Sequence, residues 1–442
     1  MTVCIEPQLY FSFYKNRSLQ ARFDGGEMTS DAGLLLLRQF DVRHRWTAHW
    51  AAALSDPRQP ENLAHPAQEL LAQRLYQIVA GYEDGNDADR LRHDPTFQLL
   101  GGREPGQPLA SQPSLSRFEN RFTVRDWVAL NDCLLWGFTH LCRTAVEAAG
   151  EIVLDIDATA DPTYGQQEFS FYNGAYDDRI YHPLLIFERH TGYLLAAHLR
   201  RGEVGSSRGC GPVLRRVVRC LRRHFPEIAI RLVGDAGFAV PTLYDLCERW
   251  DIQYTLGIGS NPVFQRRSAR LAEKAQHRWL RRRQRQVLYS SFRHRSKRWR
   301  QRSRRIAIKA EHGSGGSSVR FVITNRRGTA EQVFAFYQGR GECENRIEEL
   351  KNGFAADRLS CHRFLANAFR LLLHACAYNL VVLFRHRLPP ALRHAQIETL
   401  RVRLFKLGAF ITASVRRVLL HCASGWPFQG LLESAFQAVA SG

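Results

Sequence analysis

The sequence of 442 residues lacks a long apolar run, a paired-cysteine motif and a recognisable secretory signal. Its longest apolar stretch, residues 371–384, includes His374 and Asn379 and is too short to span a bilayer, so no membrane association is predicted. The first residues, MTVCIEPQLYFSFYKNRS, show no basic segment followed by an apolar run. Ten cysteines without a C-x-x-C pair indicate reduced, mostly buried thiols of a cytoplasmic protein, and neither a disulfide framework nor a zinc site is expected.

Lysine is also scarce, with six residues against 56 arginines, although the net charge is +20. The charge is concentrated: residues 261–312 contain 18 lysines and arginines against two glutamates, which accounts for +16 of the total. A surface with this charge favours a polyanionic partner. The residues of this segment that we expect to contact phosphate are Arg281, Arg282, Arg283 and Arg298.

Two short apolar segments carry aspartates where a strand would end. In EIVLDIDAT (151–159), Asp155 and Asp157 are two residues apart and would lie on one face of a strand. In AIRLVGDAGF (229–238), Asp235 precedes a glycine turn, where an ordinary cap or turn carboxylate is the alternative interpretation. Because ligands bind at the carboxyl ends of strands in open α/β sheets, we expect these acids to lie together. Strand geometry does not distinguish Asp155 from Asp157.

The segment YQGRGECENRIEELK (337–351) predicts a helix with one charged face. Four residues at offsets of 0, 3, 7 and 14 fall on this face: Tyr337, Arg340, Glu344 and Lys351. A carboxylate flanked by cations suits metal-assisted phosphoryl transfer, since the acid can hold a divalent cation while the cations neutralise phosphate oxygens. Glu348, one turn beyond Glu344, is the competing acid, and a solvated helix with salt bridges is the alternative for the whole face.

The spacing Tyr-x2-Arg-x3-Glu-x6-Lys resembles the signature on the last catalytic helix of DDE-class transposases of bacterial insertion sequences. The segments DAT at Asp157 and GDAGF at Asp235 resemble the two aspartate motifs of that family, and the Asp-x-Thr form favours Asp157 over Asp155. The segments FDGGEMTSDAGLLLL and DGNDADRLRHDPTF resemble the N-terminal region of one branch of these transposases.

This resemblance implies a set of catalytic residues and partners. Asp157, Asp235 and Glu344 are then the catalytic residues and ligands of two Mg²⁺ ions, with Mn²⁺ as a substitute. The signature residues expected to contact DNA phosphate are Tyr337, Arg340 and Lys351. The partner is double-stranded DNA, as element ends and as target, bound by a dimer or higher oligomer. The expected location is the bacterial cytoplasm, at the nucleoid.

The predicted fold class is α/β, with a ribonuclease-H-like catalytic core that a basic insertion interrupts. The order of elements over 151–258, three strands, helix, strand, helix, strand, is the order expected of such a core. Five segments are predicted: a helical N-terminal DNA-binding domain (1–149), the first part of the catalytic domain (150–260), a β-rich basic insertion (261–322), the second part with the signature helix (323–388), and a C-terminal appendage (389–442).

Two other functions remain compatible with the sequence. A metal-dependent DNA nuclease could use the same fold and metals without joining ends. A domesticated DNA-binding protein would keep the basic insertion and lose the chemistry, although the presence of all three carboxylates argues against it.

Overall fold

The computed structural model describes residues 9–13, 16–59, 63–299 and 302–441. They form two compact units: the described residues within 1–119 and 384–442 make up one, and those within 120–383 make up the other.

The N-terminal part of the first unit is mostly helical. Its elements are β1 (Leu9–Phe11), β2 (Leu19–Ala21), β3 (Met28–Thr29), α1 (Leu34–His44), α2 (Trp46–Ala52), α3 (Ala67–Ala80), α4 (Ala88–Leu91), α5 (Pro95–Gly101) and α6 (Gln112–Asn120).

The second unit begins with α7 (Val124–Leu141) and α8 (Arg143–Ala149). Its strands are β4 (Glu151–Ala158), β5 (Asp161–Pro162), β6 (Phe171–Asn173), β7 (Asp178–Tyr181), β8 (Leu184–Glu188), β9 (Leu194–His198), β10 (Ala229–Gly234), β11 (Gln253–Ile258), β12 (Gln286–Arg295), β13 (Ser303–Gly313) and β14 (Gly316–Thr324). The other helices are α9 (Cys210–His224), α10 (Pro241–Arg249), α11 (Pro262–Arg282), α12 (Ala330–Gln338), α13 (Gly341–Glu348) and α14 (Phe364–Arg385).

The C-terminal residues complete the first unit with α15 (Pro390–Arg393), α16 (Ile397–Leu400), β15 (Ala409–Ser414), β16 (Arg417–Cys422) and α17 (Gln429–Ser441). Strand β15 pairs with both β16 and β3, so this segment shares a small sheet with the N-terminal residues. Lys406 also binds the buried Asp31 at 2.6 Å. Residues 389–442 are therefore integrated into the first unit, whereas the sequence suggested a separate appendage.

The second unit is built on an eight-stranded mixed sheet with the order β12-β13-β14-β11-β10-β4-β8-β9. Strand β4 lies inside this sheet, with β10 parallel on one side and β8 antiparallel on the other. A strand covered on both faces needs a nearly continuous apolar sequence, which EIVLDIDA provides apart from its two aspartates. The predicted α/β class and element order are confirmed, with three short strands (β5, β6 and β7) added between β4 and β8.

The basic insertion does not form a separate β domain. Its last strand, β14, pairs antiparallel with β11, and β13 and β12 follow, so the insertion extends the main sheet by three strands. Strand β11 would otherwise end the sheet with unpaired backbone groups, and β14 satisfies them. The insertion helix α11 packs on these strands, with Phe264 against Phe321 and Phe292.

Helix α14 has the length and apolar composition of a membrane-crossing helix, but 94% of its most apolar window is buried inside the structure. Asn379 is one of the residues that attach α14 to the main sheet. Its side-chain oxygen accepts from the backbone N–H of Leu194, and its side-chain nitrogen donates to the carbonyl of the same residue, both at 2.9 Å. Leu194 lies on β9, the edge strand, so Asn379 satisfies backbone groups that no further strand pairs.

The compact units divide the chain differently from the predicted segments. Residues 120–149 were expected in the N-terminal domain, but they belong to the second unit because α7 packs on β9. The Tyr193 hydroxyl, for example, donates to the Leu134 carbonyl at 2.9 Å. A capping box between Thr123 and Asp126 begins α7 at this position.

Candidate active site

The two predicted aspartates lie at adjacent strand ends. In the parallel pairing of β4 with β10, Ile156 is opposite Gly234, so the next residues along the chain are Asp157 and Asp235. Asp157 is 7% exposed, and its Oδ1 accepts the N–H of Ala158 at 2.9 Å. Asp235 is half-buried and caps the turn that follows, with its Oδ1 accepting the N–H of Gly237 at 3.0 Å.

The charge of Asp157 is destabilised by its surroundings. Burial and, to a smaller extent, the charge of Asp235 raise the pKa of its carboxyl to about 6, against the opposing effect of the Arg340 guanidinium. The two aspartates therefore repel each other across the edge of the sheet, and a cation between them would relieve the repulsion.

Asp155 is 1% exposed and is held by a single arginine. Arg189 forms a bidentate pair with it, Nη2 to Oδ1 at 2.5 Å and Nε to Oδ2 at 3.0 Å. The same guanidinium donates to the carbonyl of Phe336 at 2.9 Å. Through Arg189, Asp155 thus links β4 to Phe336, the residue before the signature segment, whereas Asp157 lies beside Asp235.

The signature segment is not the continuous helix that the sequence predicted. Helix α12 ends at Gln338, α13 begins at Gly341, and a π-helical turn covers Glu349–Gly353. At the first break, Arg189 donates to the Phe336 carbonyl, the ordinary helical acceptor of the Arg340 N–H. That N–H bonds instead to the Tyr337 carbonyl at 3.0 Å, which tightens the turn.

The tightened turn directs Arg340 toward the acids. Its Nη2 donates to Asp157 Oδ2 at 2.7 Å, and its Nη1 donates to Glu344 Oε1 at 2.6 Å. The Glu344 side chain is 62% exposed at the mouth of the site, while that of Arg340 is 18% exposed. Arg340 thereby joins Asp157 to Glu344, and Glu348 lies exposed one turn further along.

Tyr337 is half-buried rather than presented to solvent. Its ring packs on the apolar cluster that includes Val333 and Phe334, and its hydroxyl lies so close to Gly257 that a Cβ there would be 2.6 Å away. Burial raises the pKa of the phenol, Arg340 opposes the increase, and the carboxylates of Asp235, Asp157 and Glu344 add to it. All three acids therefore act on this one hydroxyl.

Lys351 is turned toward the chain that leaves β4. Its Nζ donates to Thr159 Oγ1 at 3.1 Å and to the Ala160 carbonyl, and it lies 3.4 Å from Asp161 Oδ1. Asp161 is 1% exposed, and burial raises the pKa of its carboxyl to about 7, with Lys351 opposing the shift. The predicted phosphate ligand thus ties the signature segment to residues 159–161, just beyond Asp157.

The predicted phosphate-binding arginines of the insertion lie on other elements. Arg281 and Arg282 end α11, Arg283 follows with its guanidinium 5.2 Å from the centre of the Trp279 ring, and Arg298 lies in the turn after β12. All four are exposed. Strand β12 is at the opposite end of the sheet from β9 and four strands from β10.

The insertion aromatics that lie among these arginines in the sequence are engaged by protein in the fold. Trp299 is 8% exposed and packs edge-on against Tyr244, and Tyr289 packs against Phe334.

Two arginines without a predicted role, Arg189 and Arg346, support the site. Arg346 donates to the Arg189 carbonyl, so α13 is fastened to the turn after β8. Nothing in an arginine-rich sequence distinguishes these two from the other arginines. Only the positions of the acids in the folded chain do so.

The arrangement has oxygen ligands from three carboxylates and a guanidinium between two of them, at the edge of a sheet where α/β enzymes bind ligands. Among the residues that the structure describes, no group of three or more His, Cys, Asp or Glu side chains could hold a metal ion as arranged. Arg340 takes the position of a counter-cation between Asp157 and Glu344. The class of protein is therefore a mixed α/β protein with an acidic site at the carboxyl ends of two parallel strands.

Residues 11–441 match the family model described as "Transposase DDE domain group 1". The chain belongs to this transposase family and is a DNA-cleaving enzyme, which confirms the predicted class. It is also similar to a chain of the cryo-EM structure of a piggyBac transposase synaptic complex with hairpin DNA, with 13% identity and a TM-score of 0.45, over 85% of this chain and 80% of that chain. No curated protein matches the sequence.

Proposed function

We propose that this enzyme is the transposase of a bacterial insertion sequence, which binds the ends of its element, cleaves them and joins them to target DNA. The observation that carries the proposal is the convergence of Asp157, Asp235 and Glu344, with Arg340 bonded to the first and third. The net charge of +20 supports a DNA partner. We place the enzyme in the cytoplasm, at the nucleoid, acting as a dimer or higher oligomer on DNA.

The catalytic core is, in this proposal, ribonuclease-H-like. The strand order β11-β10-β4-β8-β9 supports it, with β8 and β9 joined as an antiparallel hairpin and β10 and β11 parallel to β4. The first and fourth of these strands along the chain, β4 and β10, carry the two aspartates.

The residues fit divalent metal ions, generally Mg²⁺ in DDE transposases. Their donor atoms are all carboxylate oxygens, which Mg²⁺ prefers. The guanidinium between Asp157 and Glu344 indicates that the site accommodates positive charge. We propose that Asp157, Asp235 and Glu344 hold two ions once Arg340 withdraws. Ions held there would supply the charge that activates the attacking oxygen and stabilises the leaving oxygen of an in-line displacement.

The remaining residues would then act on DNA and on one another. Arg340, released from the acids, can form a bidentate contact with a phosphate beside the cleavage point. Tyr337 lies against the acids and limits the space on their β11 side. Lys351 holds residues 159–161 and so fixes the direction in which the chain leaves Asp157.

Glu344, and not Glu348, is the third acid in this proposal, because Arg340 connects it to Asp157. Asp157 is preferred to Asp155, because Asp155 is occupied by the bidentate Arg189.

The test is incubation of the purified full-length protein with DNA carrying the flanking element ends, Mg²⁺ and a supercoiled target plasmid. Cleavage at the ends followed by covalent joining to the plasmid is the expected result. Cleavage without joining would favour the nuclease, and binding without cleavage would favour the domesticated DNA-binding protein. Asp235→Asn is the matched control, since it keeps the shape of the side chain and removes its charge.

A further inference from the structure

A cleft lies between helices α7 and α9 of the second unit. It consists of two adjoining cavities, one of about 290 Å³ and one of about 700 Å³, which share Leu135, Pro212 and Arg216. The smaller is here called the apolar cavity and the larger the basic cavity. Neither is lined by a residue of the proposed active site, so the cleft is a separate feature of the second unit.

The apolar cavity is formed by α7, α9 and the edge strand β9. Its walls include Val124, Trp127, Val128, Leu135, Leu195 and Val217. Val124 and Val128, one helical turn apart on α7, are 60% and 46% exposed. An exposed apolar surface that continues into a cavity usually marks a binding site.

The basic cavity carries a row of arginines on α9. Arg215, Arg219 and Arg223 are all exposed, and because they are four residues apart they lie along one side of the helix. Neither Arg215 nor Arg223 forms an ion pair with any residue that the structure describes. Arg219 lies 5.5 Å from the centre of the Trp250 ring. The row therefore presents positive charge that the fold itself does not neutralise.

Two histidines of the basic cavity sense this charge. His140 of α7 and His224 of α9 pack edge-on, with 5.7 Å between ring centres. Burial lowers the pKa of His224, and its basic neighbours His140, Arg143 and Arg223 lower it further. An anion in the cavity would relieve the repulsion among these groups.

Arg216 lies where the two cavities meet. It pairs with Asp132 of α7, Nε to Oδ1 at 2.8 Å and Nη2 to Oδ2 at 2.5 Å, and it donates to the Val128 carbonyl at 3.0 Å. This pair fastens α7 to α9 and fixes the position of the apolar cavity beside the row of arginines. An occupant of the whole cleft must therefore present an apolar group and negative charge side by side.

An acidic protein meets this requirement better than DNA or a second copy of this chain. Duplex DNA would neutralise the arginines but would leave Val124 and Val128 in water, and the exposed Asp132 disfavours a run of phosphates. A second copy, with its net charge of +20, would be repelled. The apolar cavity is at the lower end of the range for small-ligand pockets, about 300–1,000 Å³, and suits one bulky side chain.

We propose that the cleft between α7 and α9 binds an acidic segment of another protein. The segment places a bulky apolar side chain in the apolar cavity and carboxylates against Arg215, Arg219 and Arg223. Successive arginines of this row are about 6 Å apart along the helix axis, which matches acidic residues one turn apart on a partner helix. Charge attracts the partner, and the apolar side chain holds it.

The test uses three fluorescein-labelled peptides and the full-length protein without DNA. The probe is a short amphipathic helix with tryptophan and leucine on one face and glutamate on the other. One control peptide has alanine at the apolar positions, and the second has glutamine at the acidic positions. Fluorescence anisotropy at about 150 mM salt, where exposed charges are screened beyond about 8 Å, should show that the probe binds roughly tenfold more tightly than either control.

Substitutions at exposed residues locate the bound peptide. Val128→Gln and the double variant Arg219→Gln/Arg223→Gln should each weaken binding of the probe by about fivefold or more. Both should keep native affinity for end DNA and the native cleavage rate. Arg320→Gln/Arg327→Gln removes the same charge from two exposed arginines outside the cleft, and this matched control should bind the probe as the native protein does.

Equal binding of the three peptides, or no binding of the probe, would overturn the inference. So would an equal loss in Arg320→Gln/Arg327→Gln, which would indicate attraction to net charge alone. A loss of affinity for end DNA in Arg219→Gln/Arg223→Gln but not in the control would identify a DNA surface and would also overturn it. A change of oligomeric state in either cleft variant would do the same, because it would identify an interface between copies.

Discussion

Replacement of Arg340 with methionine tests whether this arginine and a metal ion compete for the same carboxylates. Arg340 donates to Asp157 at 2.7 Å and to Glu344 at 2.6 Å, and its side chain is 18% exposed. Methionine keeps the apolar stem and removes the guanidinium. The metal-free variant is then left with Asp157 buried and without this partner.

The loss of stability follows from the two ion pairs. Removing one partner of a buried pair costs about 3–5 kcal/mol, and the pair with the exposed Glu344 contributes less than about 1 kcal/mol. Asp157 can limit the cost by binding a proton, because its pKa is already about 6 with Arg340 present. We therefore expect the free energy of unfolding to fall by about 2–3 kcal/mol at about pH 8.

The effect on metal binding has the opposite sign. In the native protein, a metal ion must displace Arg340 from Asp157, which costs the free energy of that pair. If the pair contributes about 2 kcal/mol, its removal should tighten the apparent Mg²⁺ affinity in the absence of DNA by roughly 30-fold. Cleavage should nevertheless slow by on the order of tenfold or more, because the variant has no guanidinium to bind the phosphate beside the cleavage point.

The measurements are thermal unfolding over a Mg²⁺ titration without DNA and single-turnover cleavage of pre-bound end DNA. Binding of metal to the folded state alone raises the melting temperature, so the titration reports the affinity. Arg327→Met, at an exposed arginine before α12, is the matched control. Native Mg²⁺ dependence and native stability in Arg340→Met would show that the guanidinium does not occupy the metal site, and the proposed exchange would be wrong.

Four further predictions address the rest of the site. Asp157→Ala, Asp235→Ala and Glu344→Ala should each abolish cleavage, because each change removes a metal ligand. Binding of end DNA, measured by gel shift, should stay within about threefold of native, because the DNA-binding surface is intact. Cleavage at the native rate by Glu344→Ala would show that Glu344 is not a catalytic residue. The pKa of Asp157 in the folded state is about 6, against an ordinary 3.8, so ionisation of this carboxyl destabilises the fold. This destabilisation is fully present above about pH 6 and decreases as the pH falls toward 3.8. Mg²⁺ affinity should accordingly fall about tenfold per pH unit below about pH 6, and a flat titration curve between pH 5 and 8 would contradict the assigned burial. Lys351→Ala should lower the melting temperature as well as the cleavage rate, because buried Asp161 loses its cation; slowed cleavage at native stability would restore the simple phosphate-binding role. Replacing the three arginines at 281–283 with glutamine should reduce the salt slope of DNA binding by about 0.9 for each phosphate that is no longer neutralised, whereas an unchanged slope would mean that they do not face DNA.

Local sequence patterns were enough to identify the elements that carry the chemistry. The short apolar segments around Asp157 and Asp235 favour buried strands over helices, and a parallel pair of such strands brings their carboxyl ends together. Local patterns are sufficient for such a conclusion because strand and helix periodicity and the residues that end an element act over a few positions. The element order over 151–258, the apolar helix that includes Asn379, and the basic character of the insertion were all readable in this way.

The pairing of the charged groups, in contrast, became apparent only in the folded chain. Asp155 and Asp157 have the same local pattern, yet one is bound by Arg189 and the other by Arg340. The signature segment contains a good helical period, yet in the folded chain Arg189 donates to the Phe336 carbonyl and the helix is interrupted at residues 339–340.

The insertion was likewise expected as an interruption, and it became part of the sheet because β11 offered an unpaired edge. Partners of this kind are far apart along the chain. The residues next to a charged group or to a strand do not specify which distant partner it will bind. The pairing is fixed only when folding brings the two groups within bonding distance.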